Sequence, residues 1–476
     1  MAHDTASIEI ALGTRPAGTS LSLWLYDELR RAILSGRLRP GGRLPASRDF
    51  ARQIGVSRGI AVGVFERLHS DGYLCSRVGS GTWVNESLPT EWSRPKPAPR
   101  RVRMVPPPLG GLSFHPPPRP FRMCEPIGEF PVKIWARVAS RRLRRLTPAM
   151  LSGGDLRGCQ PLREAIAGYL GSSRGVNCAP EQVAIVSGVQ QALDILARLL
   201  LKSGDAIWME DPGYFGATMA FERANAKIVP VPVDRDGLVV AEGQRRARHA
   251  KACYVTPAHQ FPLGMSMSLQ RRLELLAWAR AHRAFVIEDD YDSEFRFERH
   301  PLGALQGIDR AGNVVFVGSF NKFLFPSLRV GYVVLPPALM DPFLALRYSA
   351  DLRSPAIEQM ILCDFITEGH LGRHLRRSRE VYGERLTVLL DEGRKRLDGL
   401  LEISEVRAGL FTAGLLRNRM SSRRSEEAAA RASVDVMGLH RFTFRRKDVR
   451  GVLLGFAAFD ARQIRAGVER LAGALA

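Results

Sequence analysis

The run GSFNKFLFPSLRVGY, residues 318–332, carries Lys322 just after the apolar strand pattern Val314–Val317 and Arg329 just before Gly331. A lone lysine at a strand end is ordinarily a solvated charge. This one has company. The run IEDDYDSEF, residues 287–295, sets Asp289 at the end of another apolar run, Ala284–Ile287, 33 residues before Lys322. Earlier still, Ser187-Gly188-Val189-Gln190 reads as a strand-to-helix turn whose backbone amides can hold a phosphate at a helix N-terminus. Outward from these runs, further strand patterns fall at Val183–Val186, Ala206–Met209, Ile228–Val231, Ala252–Val255 and Val330–Leu335, with helical patterns at Gln190–Leu201 and Leu269–His282. Near-continuous apolar strands joined by helices indicate a mostly parallel α/β sheet.

The four elements match the requirements of pyridoxal 5′-phosphate (PLP) chemistry. Lys322 supplies the amine for a Schiff base with the cofactor aldehyde. The Asp289 carboxylate keeps the pyridine nitrogen protonated, which makes the ring an electron sink. Arg329 and the turn Ser187, Gly188, Val189 and Gln190 neutralise the phosphate, with Ser319 a further candidate beside them. Tyr214, in EDPGYFG, is placed to cover the ring, and Tyr291 to donate to the cofactor's phenolic oxygen. His259, in TPAHQFPLG, is assigned to the cofactor neighbourhood. No single motif here is specific; their order and spacing carry the reading.

The chain before this unit follows another pattern. Within residues 18–86, Ser20 caps a helix whose apolar positions Leu21, Trp24, Leu25, Leu29, Ala32 and Ile33 keep the 3.6 period up to Gly36. A second helix is expected at Ser47–Ile54, stopped by Gly55, and a third, capped by Ser57, buries Ala61, Val64, Phe65 and Leu68. Tyr73–Arg77 and Thr82–Val84 read as strands around Val78-Gly79-Ser80-Gly81. Three helices and a hairpin make a winged helix-turn-helix. The third helix leaves Arg58, Gly59, Val62, Gly63 and Glu66 outward, a face small enough to enter a major groove. Residues 87–130 read as a Pro-rich basic linker, with thirteen prolines from Glu86 through Pro131 inclusive. The remainder, 131–476, forms the α/β unit, with a smaller α+β subdomain from about residue 370.

A length of 476 residues suits two or three domains, and the net charge of +21 fits a polyanionic partner, nucleic acid or membrane surface, as well as it fits solubility alone. Residues 86–150 alone hold 13 Lys and Arg against 4 acids. The six cysteines are scattered with no CxxC pair, which points away from a zinc site or disulfide framework and fits a reducing cytoplasm. Neither a secretion signal nor a bilayer-length apolar run is read, so neither export nor a membrane partner is expected.

The segment LYDELRRAILSGRLRPGGRLPASRDFARQIGVSRG, with the wing G-S-G-T, resembles the GntR family of winged-helix regulators. The resemblance implies that Arg48 and Arg58 contact double-stranded DNA, that Ser57 caps the recognition helix near a phosphate, and that Gly79 and Gly81 shape the wing tip. Gly59 stands where that family commonly has Asn or Thr, so its operator cannot be borrowed. From about Phe130 the chain resembles fold-type I aminotransferases, in GDLRGCQPLREAIAGYL, VSGVQQALDILARLL and EDDYDSEFRF. Together the two halves resemble the MocR subfamily, which implies a head-to-tail homodimer.

Two departures stand out. Many aminotransferases place an arginine two residues before the glycine of the late strand, to grip a substrate carboxylate; VLLGF has Leu453 there, with Arg450 nearby. Related regulators often read Gly-Leu-His where this chain has Gly409-Leu410-Phe411. The leading expectation is a PLP-dependent transcription regulator that senses an amino compound or PLP itself. A working aminotransferase with an accessory DNA-binding domain is the alternative, and a DNA-binding protein with a vestigial PLP domain a third.

Overall fold

The computed structural model describes residues 13, 15, 16, 18–77, 81–86, 119–123, 126–152, 154–297, 303–404, 406–446 and 448–476. The chain divides into two compact units, residues 1–113 and 114–476.

In the first unit, helices α1 (Leu21–Leu34), α2 (Ser47–Ile54) and α3 (Arg58–Ser70) precede a hairpin of β1 (Leu74–Arg77) and β2 (Gly81–Val84). The caps are those read from sequence: Leu23 N–H donates to Ser20 Oγ and Ile60 N–H to Ser57 Oγ. Gly55 ends α2 with φ +73°. The apolar stripes meet in one core containing Leu25, Leu29, Phe50, Ala61, Val64, Phe65 and Leu68. Burial of these stripes, rather than propensity, holds helices as short as the eight residues of α2.

The second unit is built on an eight-stranded sheet in the order β3-β10-β9-β8-β7-β4-β5-β6. Its strands are β3 (Val183–Val186), β4 (Ala206–Asp211), β5 (Lys227–Asp234), β6 (Gly237–Leu238), β7 (Ala252–Val255), β8 (Phe285–Asp290), β9 (Val314–Ser319) and β10 (Gly331–Val334). Pairing from β5 through β4, β7 and β8 to β9 is parallel; β10 runs antiparallel between β9 and β3, and β6 folds back on β5. One face packs Val186, Met209, Ile287 and Val317 against helices Val189–Leu200 and Phe215–Arg223, including Leu193, Leu196 and Phe221. Part of the other face packs Cys253, Val255 and Val286 against Leu275 and Trp278 of helix Leu269–His282. Burial on both faces explains why these strands read as continuous apolar runs.

A second sheet, of β11 (Leu401–Ile403), β12 (Phe411–Leu416), β13 (Met437–Gly438) and β14 (Gly451–Gly455), has the order β11-β12-β14-β13 and lies between helices His370–Arg396 and Ala461–Leu475 in sequence. Residues 119–123 and 126–130, inside the stretch read as linker, are tied to this unit. Phe121 is fully buried and accepts a hydrogen bond from Gly455 N–H, Arg122 is paired with Asp435, and Glu129 with Arg385. A proline-rich sequence predicts extended backbone, but Phe121 has apolar surface to bury, and it does so against Gly467 at the C-terminal helix. Within the run Arg141-Arg142-Leu143-Arg144-Arg145, Arg141 and Arg142 are engaged by Glu368 and Asp364.

Candidate functional site

The parallel strands end along one edge of the large sheet, which is where open α/β sheets hold ligands. A cavity of about 280 Å³ opens there, and Lys322, Asp289, Arg329, Tyr214, Tyr291, Ser319, Val189 and Gln190 all line it. The residues come from far apart in the chain because they sit at or just beyond the ends of four different strands: β3, β4, β8 and β9.

Asp289 is buried near the end of β8, and one of its oxygens, Oδ2, accepts from the Tyr254 hydroxyl at 2.6 Å. The other, Oδ1, is buried with no hydrogen-bond partner. Burial pushes this carboxyl up to about 7, while the charge of Lys322 acts in the opposite sense. A buried carboxylate oxygen without a partner, at the wall of a cavity that also holds a lysine, fits the protonated ring nitrogen of PLP.

The other end of the cavity fits a phosphate. Gly188 precedes helix Val189–Leu200 with φ +121°, and a Cβ there would lie 3.1 Å from Asn321 Nδ2 and 3.5 Å from Arg329 Nη2. Glycine therefore lets the guanidinium and the Asn321 amide close on the first turn of a twelve-residue helix. Arg329 itself is held at φ +52°, with Val330 N–H donating to Asn321 Oδ1 and Asn321 N–H to Ser319 Oγ. Ser187 lies outside the cavity lining, its N–H donating to Gln191 Oε1.

His259 stands one layer back. Its Nδ1 is 2.9 Å from Asp292 Oδ1 and 3.2 Å from the Tyr291 hydroxyl, and it does not line the cavity. Carboxylate oxygens only accept, so the proton belongs on Nδ1 and the Tyr291 hydroxyl keeps its own to donate. The Tyr291 ring stacks on Phe411, with centroids 6.2 Å apart and planes 7° apart. Tyr214 meets Phe261 edge-on at 5.7 Å. The sequence reading missed Tyr254, Asn321, Asp292, Thr256 and Met123 of the lining. Asn321 was legible as the neighbour of Lys322; Tyr254 was not, because a fully buried tyrosine on a strand reads as core until its partner 35 residues away is known.

In the first unit, Arg48 and Arg58 are exposed at the starts of α2 and α3, and Gly59, Gly63 and Glu66 are exposed along α3. A Cβ at Gly59 or Gly63 would meet nothing within 4 Å, so no packing inside the unit calls for glycine at either position. Gly81 opens β2 at φ +106°, beside Arg43; Gly79 lies outside the described residues.

Residues 21–84 match the model of bacterial regulatory proteins of the gntR family, and residues 127–471 that of aminotransferases class I and II. Over 475 residues the chain is 38% identical to the probable rhizopine catabolism regulatory protein MocR of Rhizobium meliloti, covering 97% of this chain and 94% of that protein. The chain belongs to the MocR subfamily of GntR-type regulators. Another relative is the pyridoxine biosynthesis transcriptional regulator PdxR of Corynebacterium glutamicum, 32% identical over 391 residues and 81% of each chain. The aminotransferase half resembles Pyrococcus horikoshii kynurenine aminotransferase, solved with PMP, at 26% identity and TM-score 0.69 over 74% of this chain and 88% of that one. It is also similar to the α-aminoadipate aminotransferase LysN of Thermus thermophilus, solved with a phosphopyridoxyl-leucine adduct, at 28% identity and TM-score 0.68 over 74% and 90%. The second unit of this MocR-type chain is thus a fold-type I aminotransferase domain, a fold that implies PLP. Among the described residues, no helix is long and apolar enough to cross a membrane, and no group of three or more His, Cys, Asp or Glu is placed to hold a metal.

Proposed function

We propose that this chain is a DNA-binding transcription regulator that holds PLP at Lys322 and responds to an amino compound, or to PLP itself. What supports the reading is one observation above the others. Lys322, the unpartnered Asp289 Oδ1 and the Arg329–Asn321–Gly188 cradle line or border a single cavity, in a chain that also carries an exposed Arg58-led helix in a GntR unit. When bound, PLP supplies an aldehyde and an electron-withdrawing ring. The protein's share is to hold it: Lys322 binds, Asp289 keeps a proton on the ring nitrogen, Arg329, Ser319 and the helix at Val189 and Gln190 take the phosphate, Tyr214 covers the ring, and Tyr291 donates at its edge. Ser187 and His259 act from behind that lining, His259 by fixing the proton of Tyr291.

Arg48, Ser57, Arg58 and Gly59, with the wing at Gly79 and Gly81, form the proposed face for double-stranded operator DNA. Two copies assemble head-to-tail, and the protein works in the cytoplasm, where its DNA lies. A ligand shifts such a system only by binding one arrangement of the protein better than another, so effector and operator affinities must be coupled.

The test is the visible absorption of the purified full-length protein with PLP, alongside DNA retardation. The expected result is a protein-bound band that Lys322→Ala abolishes while DNA binding survives. A borohydride-stable adduct in Lys322→Ala would refute the placement. Multiple turnovers with an amino acid and a 2-oxo acid at about 1 per second or more would favour the enzyme alternative.

A further inference from the structure

The wall of the cavity away from the phosphate cradle has a composition of its own. Among the described residues the lining holds two cations, Lys322 and Arg329. Arg329 closes on Gly188 at the phosphate end, and Lys322 is the cofactor's attachment point on the reading above. The rest of the lining includes Met123, Phe261, Pro326, Leu410 and Phe411, together with the Asp292 carboxylate.

The small sheet explains where a further cation could have entered. Directly paired residues of an antiparallel ladder share a face. Phe411 pairs with Gly455 and Ala413 with Leu453, so Leu453 lies on the face that Phe411 presents to the cavity. That position is fully buried hydrocarbon. Leu454 pairs with Thr412 on the opposite face. Arg450 turns elsewhere and donates to the carbonyls of Asn418 and Met420.

We propose that the cavity selects an amine whose nitrogen-bearing carbon carries no carboxylate and whose body is apolar or aromatic. The inference rests on the reading that Lys322 holds PLP beside this wall. A carboxylate docked against Met123, Leu410 and Phe411 would lose its hydration with no further cation among the described lining residues in return, and would face the Asp292 carboxylate. An amine without that group loses nothing comparable and covers apolar wall.

The full-length protein loaded with PLP is titrated with two matched pairs, isobutylamine against L-valine and 2-phenylethylamine against L-phenylalanine. Binding is read by calorimetry and by DNA retardation. In each pair the amine should bind at least tenfold more tightly, a factor equal to about 1.4 kcal/mol. Amino acids that bind as tightly as their amines overturn the inference, as does silence from both amines in a protein that binds PLP. Failure to bind PLP overturns the earlier reading instead. Leu453→Arg should move the amine-to-amino-acid ratio at least tenfold toward the amino acid. A buried arginine there can unfold the small sheet, so Met123→Arg, at a half-buried position of the same lining, is the second variant. An unchanged ratio in a folded Met123→Arg protein that binds PLP also counts against the proposal.

Discussion

Gly63→Ala separates a DNA-reading helix from a merely structural one, because the two readings predict different outcomes. Gly63 is exposed at the sixth position of the thirteen-residue α3, and an added Cβ would meet nothing within 4 Å. Alanine in a helix interior is worth about 1 kcal/mol over glycine, so the free protein should become more stable locally. Hydrogen exchange of the full-length chain, followed in peptides from residues 58–70, should then slow roughly fivefold for α3 amides that exchange by unfolding of this unit. If the outer face of α3 lies in a major groove, the same methyl enters a filled contact. Crowding of that kind costs about 1–3 kcal/mol, or roughly a fivefold to hundredfold loss of affinity. The assay is fluorescence anisotropy with a duplex enriched by the wild-type protein from a random pool, at one fixed salt concentration. A helix that gains protection while DNA affinity stays unchanged would refute the placement of this face on DNA.

Arg48→Ala and Arg58→Ala should each weaken operator binding. A lost phosphate contact lowers the slope of log K against log salt by about 0.9, and a lost bidentate base contact costs about 1–3 kcal/mol with relaxed specificity, so affinity across salt concentrations and across sequences distinguishes the two. Burial holds the Asp289 carboxyl at about 7, above the usual range, so the native state keeps a proton that the unfolded chain releases earlier. Its contribution to the stability of cofactor-free protein is full below about pH 4 and is lost as pH rises through about 7; Asp289→Asn should flatten that part of a denaturation-versus-pH profile. Gly409→Ala, at a position outside the cavity lining, should disturb PLP binding through His259 and Asp292. At φ +99° its Cβ would sit 2.6 Å from Asp292 Oδ2 and closer still to His259, displacing the pair behind Tyr291. An unshifted visible spectrum in that variant would show that the pair does not position Tyr291.

Periodicity and spacing determined much of this molecule. The three helices of the first unit, their caps at Ser20 and Ser57, and the stripe Ala61, Val64, Phe65 and Leu68 follow from local pattern, since a short helix must bury one face and satisfy its first amides. Strand runs such as Val183–Val186 and Ala252–Val255 were legible because burial on both faces leaves no room for polar residues. The order of Lys322, Asp289, Arg329 and Gly188 pointed to one cofactor before any distance was known. What only the tertiary structure decided is which distant residues meet. Phe121 and Met123 look like linker in a proline-rich stretch, yet one fills the core at Gly455 and Gly467 and the other lines the cavity. Tyr254 looks like core, yet it holds Asp289. His259 reads as part of the cofactor neighbourhood, but only the folded chain sets it behind Tyr291 on Asp292. Leu453 marked a missing arginine in the sequence, but only the β12–β14 register puts it on the face of the cavity wall. Local pattern reports how much of a side chain is buried, whereas hydrogen bonds and cavity walls are made between residues tens to hundreds of positions apart, and only the folded chain brings those together.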